Sequence, residues 1–234
     1  MSKMKILNKI KPKLITFDVY SALVDINRGL TPIFSNLTNL SEEKSLAFII
    51  DWRKVQLHTA QLSNSLNARR VTFYNCTKLS LDYVCKKHNL EIEEDKKLKL
   101  IFAWNSLPLW PEASEVISNL IIKGYKVAIL SNGDQNMLEE MNKGYDFNFD
   151  YILSSETNEY YKPHPSIYDL PKNILGFSKK ETLHIAGSAV DVMGCVSSGL
   201  PCYWSNRKND ILIDTKFSPE YEFSDLTRIN NLLK

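Results

Sequence analysis

Four places in this chain gather residue types able to do chemistry, and each follows a short apolar run. Asp18 follows Leu14-Ile15-Thr16-Phe17, and Ser131-Asn132 follow Tyr125–Leu130. Lys162 stands in the loop after Tyr151-Ile152-Leu153, and Ser188 and Asp191 follow Thr182–Ala186. Taken singly these are ordinary, because an Asp at a strand end is commonly a turn former or a helix cap. Taken together they supply a carboxylate, hydroxyl and amide donors, an ammonium and a second carboxylate. In an open α/β sheet, ligands bind outside the carboxyl ends of the strands. Four such signals at the same end of different strands therefore point to one catalytic site.

The elements that must position them read as alternating strands and helices. A fifth short apolar run, Pro201–Trp204, ends at Ser205-Asn206-Arg207. Apolar runs of this length bounded by turn residues fit buried parallel strands. Between them, Glu112–Lys123 sets Val116, Leu120 and Ile121 on one helical face, with Gly124 as its stop. Pro165–Leu175 does the same with Ile167, Leu170 and Ile174, stops at Gly176, and is split or kinked by Pro171. Asp191–Ser198 closes before Gly199. The order βαβα predicts a parallel sheet with helices on both faces. Residues 27–105 hold no comparable strand run. Helices are predicted over Leu46–Leu62, after a start signal at Ser41-Glu42-Glu43, over Val71–His88 and over Glu93–Trp104. The fold class is α/β: a Rossmann-like parallel-sheet core (residues 1–26 and 106–234) with an inserted α-helical cap (27–105).

Composition narrows the function classes. With 234 residues, 44% hydrophobic and 24% charged, the chain is of ordinary globular make-up and long enough to bury a core without a staple. A formal net charge of +2 gives no electrostatic reason to expect a nucleic-acid partner. Cys76, Cys85, Cys195 and Cys202 form no CxxC pair, so they read as buried free thiols of a reducing compartment rather than zinc ligands. Lysines 3, 5, 9, 11 and 13 lack the long apolar run of a signal peptide, and no stretch approaches the ~18 apolar residues of a membrane span. The expectation is a cytoplasmic protein with no membrane partner.

Four segments in order carry a family resemblance: Phe17-Asp18-Val19-Tyr20-Ser21-Ala22-Leu23, Leu130-Ser131-Asn132-Gly133, Tyr161-Lys162-Pro163 and Ala186-Gly187-Ser188-Ala189-Val190-Asp191. The chain resembles the haloacid dehalogenase superfamily from about Lys13 to Arg207. Tyr20, the Leu-Ser-Asn-Gly run, Trp204-Ser205-Asn206-Arg207 and Trp52-Arg53 with Gln56-Leu57 resemble its L-2-haloacid dehalogenase branch. The resemblance implies a hydrolase in which Asp18 displaces halide from C2 of a short 2-haloalkanoate with inversion. Water then hydrolyses the aspartyl ester, with Asp191 orienting or deprotonating it and Lys162 holding the carboxylates. Ser131, Asn132 and Ser188 would serve the substrate. Arg53 would steer it or cradle the halide, Tyr20 and Leu57 would line the pocket, and Tyr168 would help position Lys162 or the nucleophile. A small carboxylic acid is the implied partner, no cofactor is implied, and a homodimer is.

Departures from the phosphatase branch bear on the chemistry. Tyr20 stands where that branch has its acid–base Asp, and Gly187 stands where it has a magnesium-binding Asp. Too few oxygen ligands remain for a Mg²⁺ ion, whereas a halide leaves without a proton. Within the dehalogenase branch, Ala22 replaces a Thr, and Ala186, Gly187, Ser188 and Val190 replace Ser, Ser, Asn and Trp, which predicts an altered pocket. The alternatives are a Mg²⁺-dependent small-metabolite phosphatase and a catalytically decayed member that binds a small acid or a protein. Tyr20 and Tyr168 also fit plain packing roles. Asp25 and Asp134 read as turn or cap residues, and Asn206 and Arg207 as structural. His58, His88, His164 and His184 show no triad or metal spacing and read as non-catalytic.

Overall fold

Leu14–Phe17, apolar but for Thr16, becomes β1, buried along its whole length at the centre of the sheet. The computed structural model describes residues 11–66 and 69–233; the lysines before Lys11 lie outside them. Five further strands follow in chain order: β2 (Lys126–Ser131), β3 (Tyr151–Ser154), β4 (Thr182–Ala186), β5 (Cys202–Ser205) and β6 (Tyr221–Phe223). All pair in parallel in the order β3-β2-β1-β4-β5-β6. The order reverses at β1, which opens a crevice beyond the carboxyl ends of β1 and β4.

Between β1 and β2 the chain is helical: α1 (Ile26–Thr38), α2 (Glu42–Ser63), α3 (Phe73–Lys87) and α4 (Glu94–Phe102), then a 3₁₀ turn at Ala103–Ser106. Ser41 starts α2, its hydroxyl accepting the Lys44 N–H at 3.4 Å, with Glu42 and Glu43 in the first turn favouring the helix dipole. Phe48, Ile49, Trp52, Gln56 and Ala60 are the buried side of α2. Its polar members are matched by α3: Trp52 Nε1 donates to Thr77 O and Ser80 Oγ, both at 3.0 Å, and Gln56 Nε2 to Thr77 Oγ1. The remaining helices are α5 (Ala113–Ile122), α6 (Gln135–Lys143), α7 (Pro165–Tyr168), α8 (Leu170–Leu175), α9 (Ala189–Ser197) and α10 (Ile229–Leu232). The Pro165–Leu175 helix is indeed split, at Asp169, which lets Pro171 sit in the first turn of α8, where its missing N–H costs nothing. Gly124 and Gly176 end α5 and α8 at φ 84° and 77°, as their stop roles require. One apolar cluster runs from the sheet into α1–α4 (Phe17, Leu23, Trp52, Phe73, Trp104); a second lies between the sheet and α7–α9 (Leu130, Leu153, Ile167, Val192). Among the described residues no helix is long and apolar enough to cross a membrane. All four cysteines are buried and free.

Asp134 is a helix cap, but for a distant helix. It precedes α6, yet its carboxylate accepts the Phe73 and Tyr74 N–H groups at the start of α3, each at 2.9 Å. The first N–H of α6, from Gln135, goes to Glu156 Oε2 instead. Arg70 completes the latch: its guanidinium donates to Asp134 Oδ1 at 2.9 Å and Ser155 Oγ at 3.2 Å and lies 4.3 Å from the Tyr161 ring centroid. Both side chains of the ion pair are over 90% buried. Asp134→Ala leaves a buried guanidinium and two helix N–H groups without their acceptor. Breaking a buried pair in this way costs about 3–5 kcal/mol, so the urea midpoint should fall accordingly. A loss under about 1 kcal/mol, within the range of an exposed pair, would show that the latch does not bear on stability.

Candidate active site

Asp18 leaves β1 in extended conformation, with its N–H still bonded to Ile185 O of β4 at 2.9 Å. The chain then makes one π-type turn, Val19–Leu23, closed by the Val24 N–H on Val19 O. Such single turns recur at functional sites. Here the turn brings the Ser21 N–H back onto Asp18 Oδ2 at 3.0 Å, which fixes the carboxylate at the mouth of the crevice.

Lys162 reaches the same point from the loop after β3. Its Nζ is 3.2 Å from Asp18 Oδ1 and 3.0 Å from Asp191 Oδ2. Its backbone N–H donates to Asn132 Oδ1 at 2.8 Å. The preceding residue, Tyr161, is clasped by Asn64 at the end of α2: the Asn64 amide donates to Tyr161 O (2.8 Å) and accepts the Tyr161 N–H (2.7 Å). The helical block thus holds the chain that carries the lysine. Burial alone would lower the Lys162 pKa, but the charges of Asp191 and Asp18 outweigh it and raise it above the usual lysine value.

Asp191 sits in the first turn of α9, where Ser188 caps the helix and accepts the Asp191 N–H at 3.3 Å. Tyr168 donates to Asp191 Oδ1 at 2.8 Å. The sequence reading puts Tyr168 to positioning Lys162 or the nucleophile; its hydroxyl meets Asp191, which in turn bonds Lys162. The contact depends on Gly194, since a Cβ there would lie 2.6 Å from the Tyr168 hydroxyl. Burial opposes ionisation of Asp191, but Lys162, reinforced by His184, holds its carboxyl well below the usual range.

The other expected residues surround this group unevenly. Ser131 is buried and its Oγ accepts the Gly133 N–H at 3.3 Å, which leaves its own proton to give. Ser188 is engaged as a cap, as above. Tyr20 is buried and stacks on Phe73 at 5.0 Å; among the described residues its hydroxyl has no partner, and burial pushes the phenol far above its usual pKa. Arg53 comes down from α2 to 5.5 Å from the Tyr20 ring centroid and 5.6 Å from that of Trp104, and donates to Gln56 Oε1 at 2.6 Å. Burial brings its guanidinium down to about 10, with Asp18 resisting, so it remains a cation at neutral pH. Leu57 is half-buried and belongs to neither apolar cluster. Val190 is 37% exposed on α9. Asp25 caps α1 through the Arg28 N–H, and Arg207 pairs with Glu112, both structural as expected. A cavity of about 30 Å³ beside the π-type turn is lined by Tyr20, Ser21, Asp25, Trp110 and Lys208.

His184, which shows no triad or metal spacing in the sequence, lies beside Asp191. Its Nε2 is 3.0 Å from Asp191 Oδ2 and its Nδ1 is 2.9 Å from Thr16 Oγ1. The sequence did carry a signal: each is the polar residue inside a buried apolar strand, and the parallel register pairs Thr16 with His184.

A divalent-cation site does not fit these residues. Asp18 has Tyr20 two residues on, and Gly187 has no room for a ligand: a Cβ there would lie 2.6 Å from Ser21 Cβ and collide with the Ala22 backbone nitrogen. Among the described residues no group of three or more His, Cys, Asp or Glu is placed to hold a metal ion.

Comparison with known proteins gives the family and the fold. Residues 12–199 match the model of the haloacid dehalogenase-like hydrolases. The chain is 26% identical over 225 residues to haloacetate dehalogenase H-2 of Moraxella sp. (strain B), covering 95% of this chain and 98% of that one. It is 30% identical over 190 residues to the (S)-2-haloacid dehalogenase of Xanthobacter autotrophicus, covering 80% and 72%. A crystal structure of a dehalogenase with an intermediate complex superposes with a TM-score of 0.86 at 25% identity, over 95% of this chain and 97% of that one.

Proposed function

Since the chain belongs to the haloacid dehalogenase-like hydrolases, we propose that it hydrolyses the carbon–halogen bond of a short 2-haloalkanoate through an ester on Asp18. One observation carries this reading. A single buried lysine bridges Asp18 and Asp191, while the residue two positions after Asp18 is a buried tyrosine, not an acid. The nucleophile therefore faces an ammonium, and no proton donor stands by for an oxygen leaving group. A halide requires none.

In the first step Asp18 Oδ attacks C2 from behind the halogen, and halide leaves with the bonding pair. Ser131 and Asn132 donate to the substrate carboxylate, and the Arg53 cation draws the anion in or cradles the halide. Tyr20 and Leu57 bound the apolar side of the substrate. In the second step water adds to the Asp18 carbonyl carbon. The C2 oxygen, which came from Asp18, departs and takes one proton of the water to become the hydroxyl. The other proton is lost as Asp18 ionises again beside Lys162. Asp191 accepts from three donors and is held as a carboxylate, which suits it to orient the water. The product is a 2-hydroxy acid of inverted configuration. Residues 27–105 act as the cap over the crevice, supported by the Asp134–Arg70 and Asn64–Tyr161 contacts. The reading carries with it a cytoplasmic location, supported by four free thiols, and, by likeness to the family alone, a homodimer. Magnesium-dependent phosphate hydrolysis is disfavoured by Tyr20 and Gly187.

Heavy-oxygen water tests the ester directly. After several turnovers with L-2-chloropropanoate, the peptide containing Asp18 should carry the label, and the first turnover should give unlabelled product hydroxyl. Label that enters the product alone in a single turnover would mean direct attack of water on C2, and the nucleophile assignment would fail.

A further inference from the structure

We propose that His184 is a positioning residue for the hydrolytic step, fixing Asp191 in place with its tautomer set by Thr16. The inference rests on the ester mechanism above and adds a member to its machinery. The ring is fully buried at the centre of β4. Asp191 Oδ2, 3.0 Å from Nε2, can only accept, so Nε2 carries a hydrogen. The Lys162 ammonium stands 3.4 Å from the same nitrogen, the spacing of two donors converging on one carboxylate oxygen. The Thr16 hydroxyl is 2.9 Å from Nδ1 and 3.5 Å from Leu183 O, and the shorter contact assigns its proton to the ring nitrogen.

The arrangement divides labour within the site. Lys162 is shared between Asp18 and Asp191. Among the described residues His184 bonds Asp191 and makes no hydrogen bond to Asp18. Without His184, Asp191 Oδ2 depends on a lysine that Asp18 also draws away, while Oδ1 keeps only Tyr168. Alkylation of Asp18 needs Asp18 and Lys162 and survives the loss. Hydrolysis of the ester needs a fixed Asp191 to aim the water, and a misplacement of about 1 Å can cost about 10²-fold in rate. The second step is therefore the one that slows.

His184→Phe keeps the ring volume and removes both polar contacts; His184→Gln keeps a donor near the Nε2 position. With L-2-chloropropanoate as probe, His184→Phe should lower kcat about 100-fold with KM changed much less. Whole-protein mass spectra of quenched reactions should show the ester on a larger fraction of enzyme than in the parent. His184→Gln should recover roughly a tenth or more of parental kcat and lose the excess ester. A His184→Phe enzyme close to the parent, or one that slows without accumulating ester, would overturn the proposal. If the parent itself releases no halide, the ester mechanism has failed and takes the positioning role with it. Long-range ¹⁵N–¹H correlation at neutral pH, assigned by the signals missing in His184→Phe, should place the ring proton on Nε2. That signal should move in Asp191→Asn. A proton on Nδ1 would reject the tautomer and the proposal with it.

Discussion

Asp18→Asn should stop halide release, by about 10⁴-fold or more, the scale on which removing a covalent nucleophile acts. The substitution changes one atom and spares the frame. The amide oxygen can still take the Ser21 N–H that closes the π-type turn, and Lys162 keeps Asp191 at 3.0 Å. The fold should survive, with a circular dichroism spectrum like the parent's and a melting temperature within several degrees. Halide release measured beside that melt separates loss of chemistry from loss of structure. Full halide release by a folded variant would remove Asp18 from the mechanism.

Lys162→Met should be nearly as damaging to turnover and far worse for stability. It leaves Asp18 and Asp191 facing one another with no cation between them. Breaking a buried ion pair from one side costs about 3–5 kcal/mol, readable from urea unfolding at pH 7. The pH dependence has a definite sign. Lys162 is raised in the folded state, so its contribution is complete below the unfolded lysine value, near 10.4, and is lost as pH climbs through the folded one. Asp191 is lowered, so its contribution is complete above the unfolded carboxyl value, near 3.9, and is lost as pH falls toward the folded one. The parent should therefore be flat from about pH 5 to 9 as far as these groups govern it. In the variant the two carboxylates repel, and acidification toward pH 5 should relieve them by protonating one. The stability gap between parent and variant should narrow between pH 8 and pH 5. An equal gap at both would mean that the lysine acts there by packing alone.

What the sequence disclosed and what it hid divide along physical lines. The five longer strands were legible because they are mostly apolar and largely buried, and β6 was not, because only Phe223 of its three residues is buried. Helix α2 was legible from Ser41 and its acidic first turn. Helix α1 was not, with Gly29 and Pro32 inside it, nor was α6, which buries only Met137, Leu138 and Met141. Asp18, Lys162 and Asp191 stood out as polar residues following apolar runs, and the fold brings them within hydrogen-bonding distance. The Asp134–Arg70 latch joins residues 64 positions apart, and no local spacing encodes such a contact. His184 was passed over because its neighbours in the chain are apolar; its partners come from β1, α9 and the loop after β3.

The close fit at Gly187 also bears on how freely this protein could exchange one reaction for another. Placing an acid at that position collides with the main chain on which the nucleophile is mounted. Tyr20, the other site to be changed, is wedged between Phe73 and Trp104, so its replacement leaves a void. Magnesium-dependent chemistry is thus fenced off by two separate steric barriers, each change being harmful on its own.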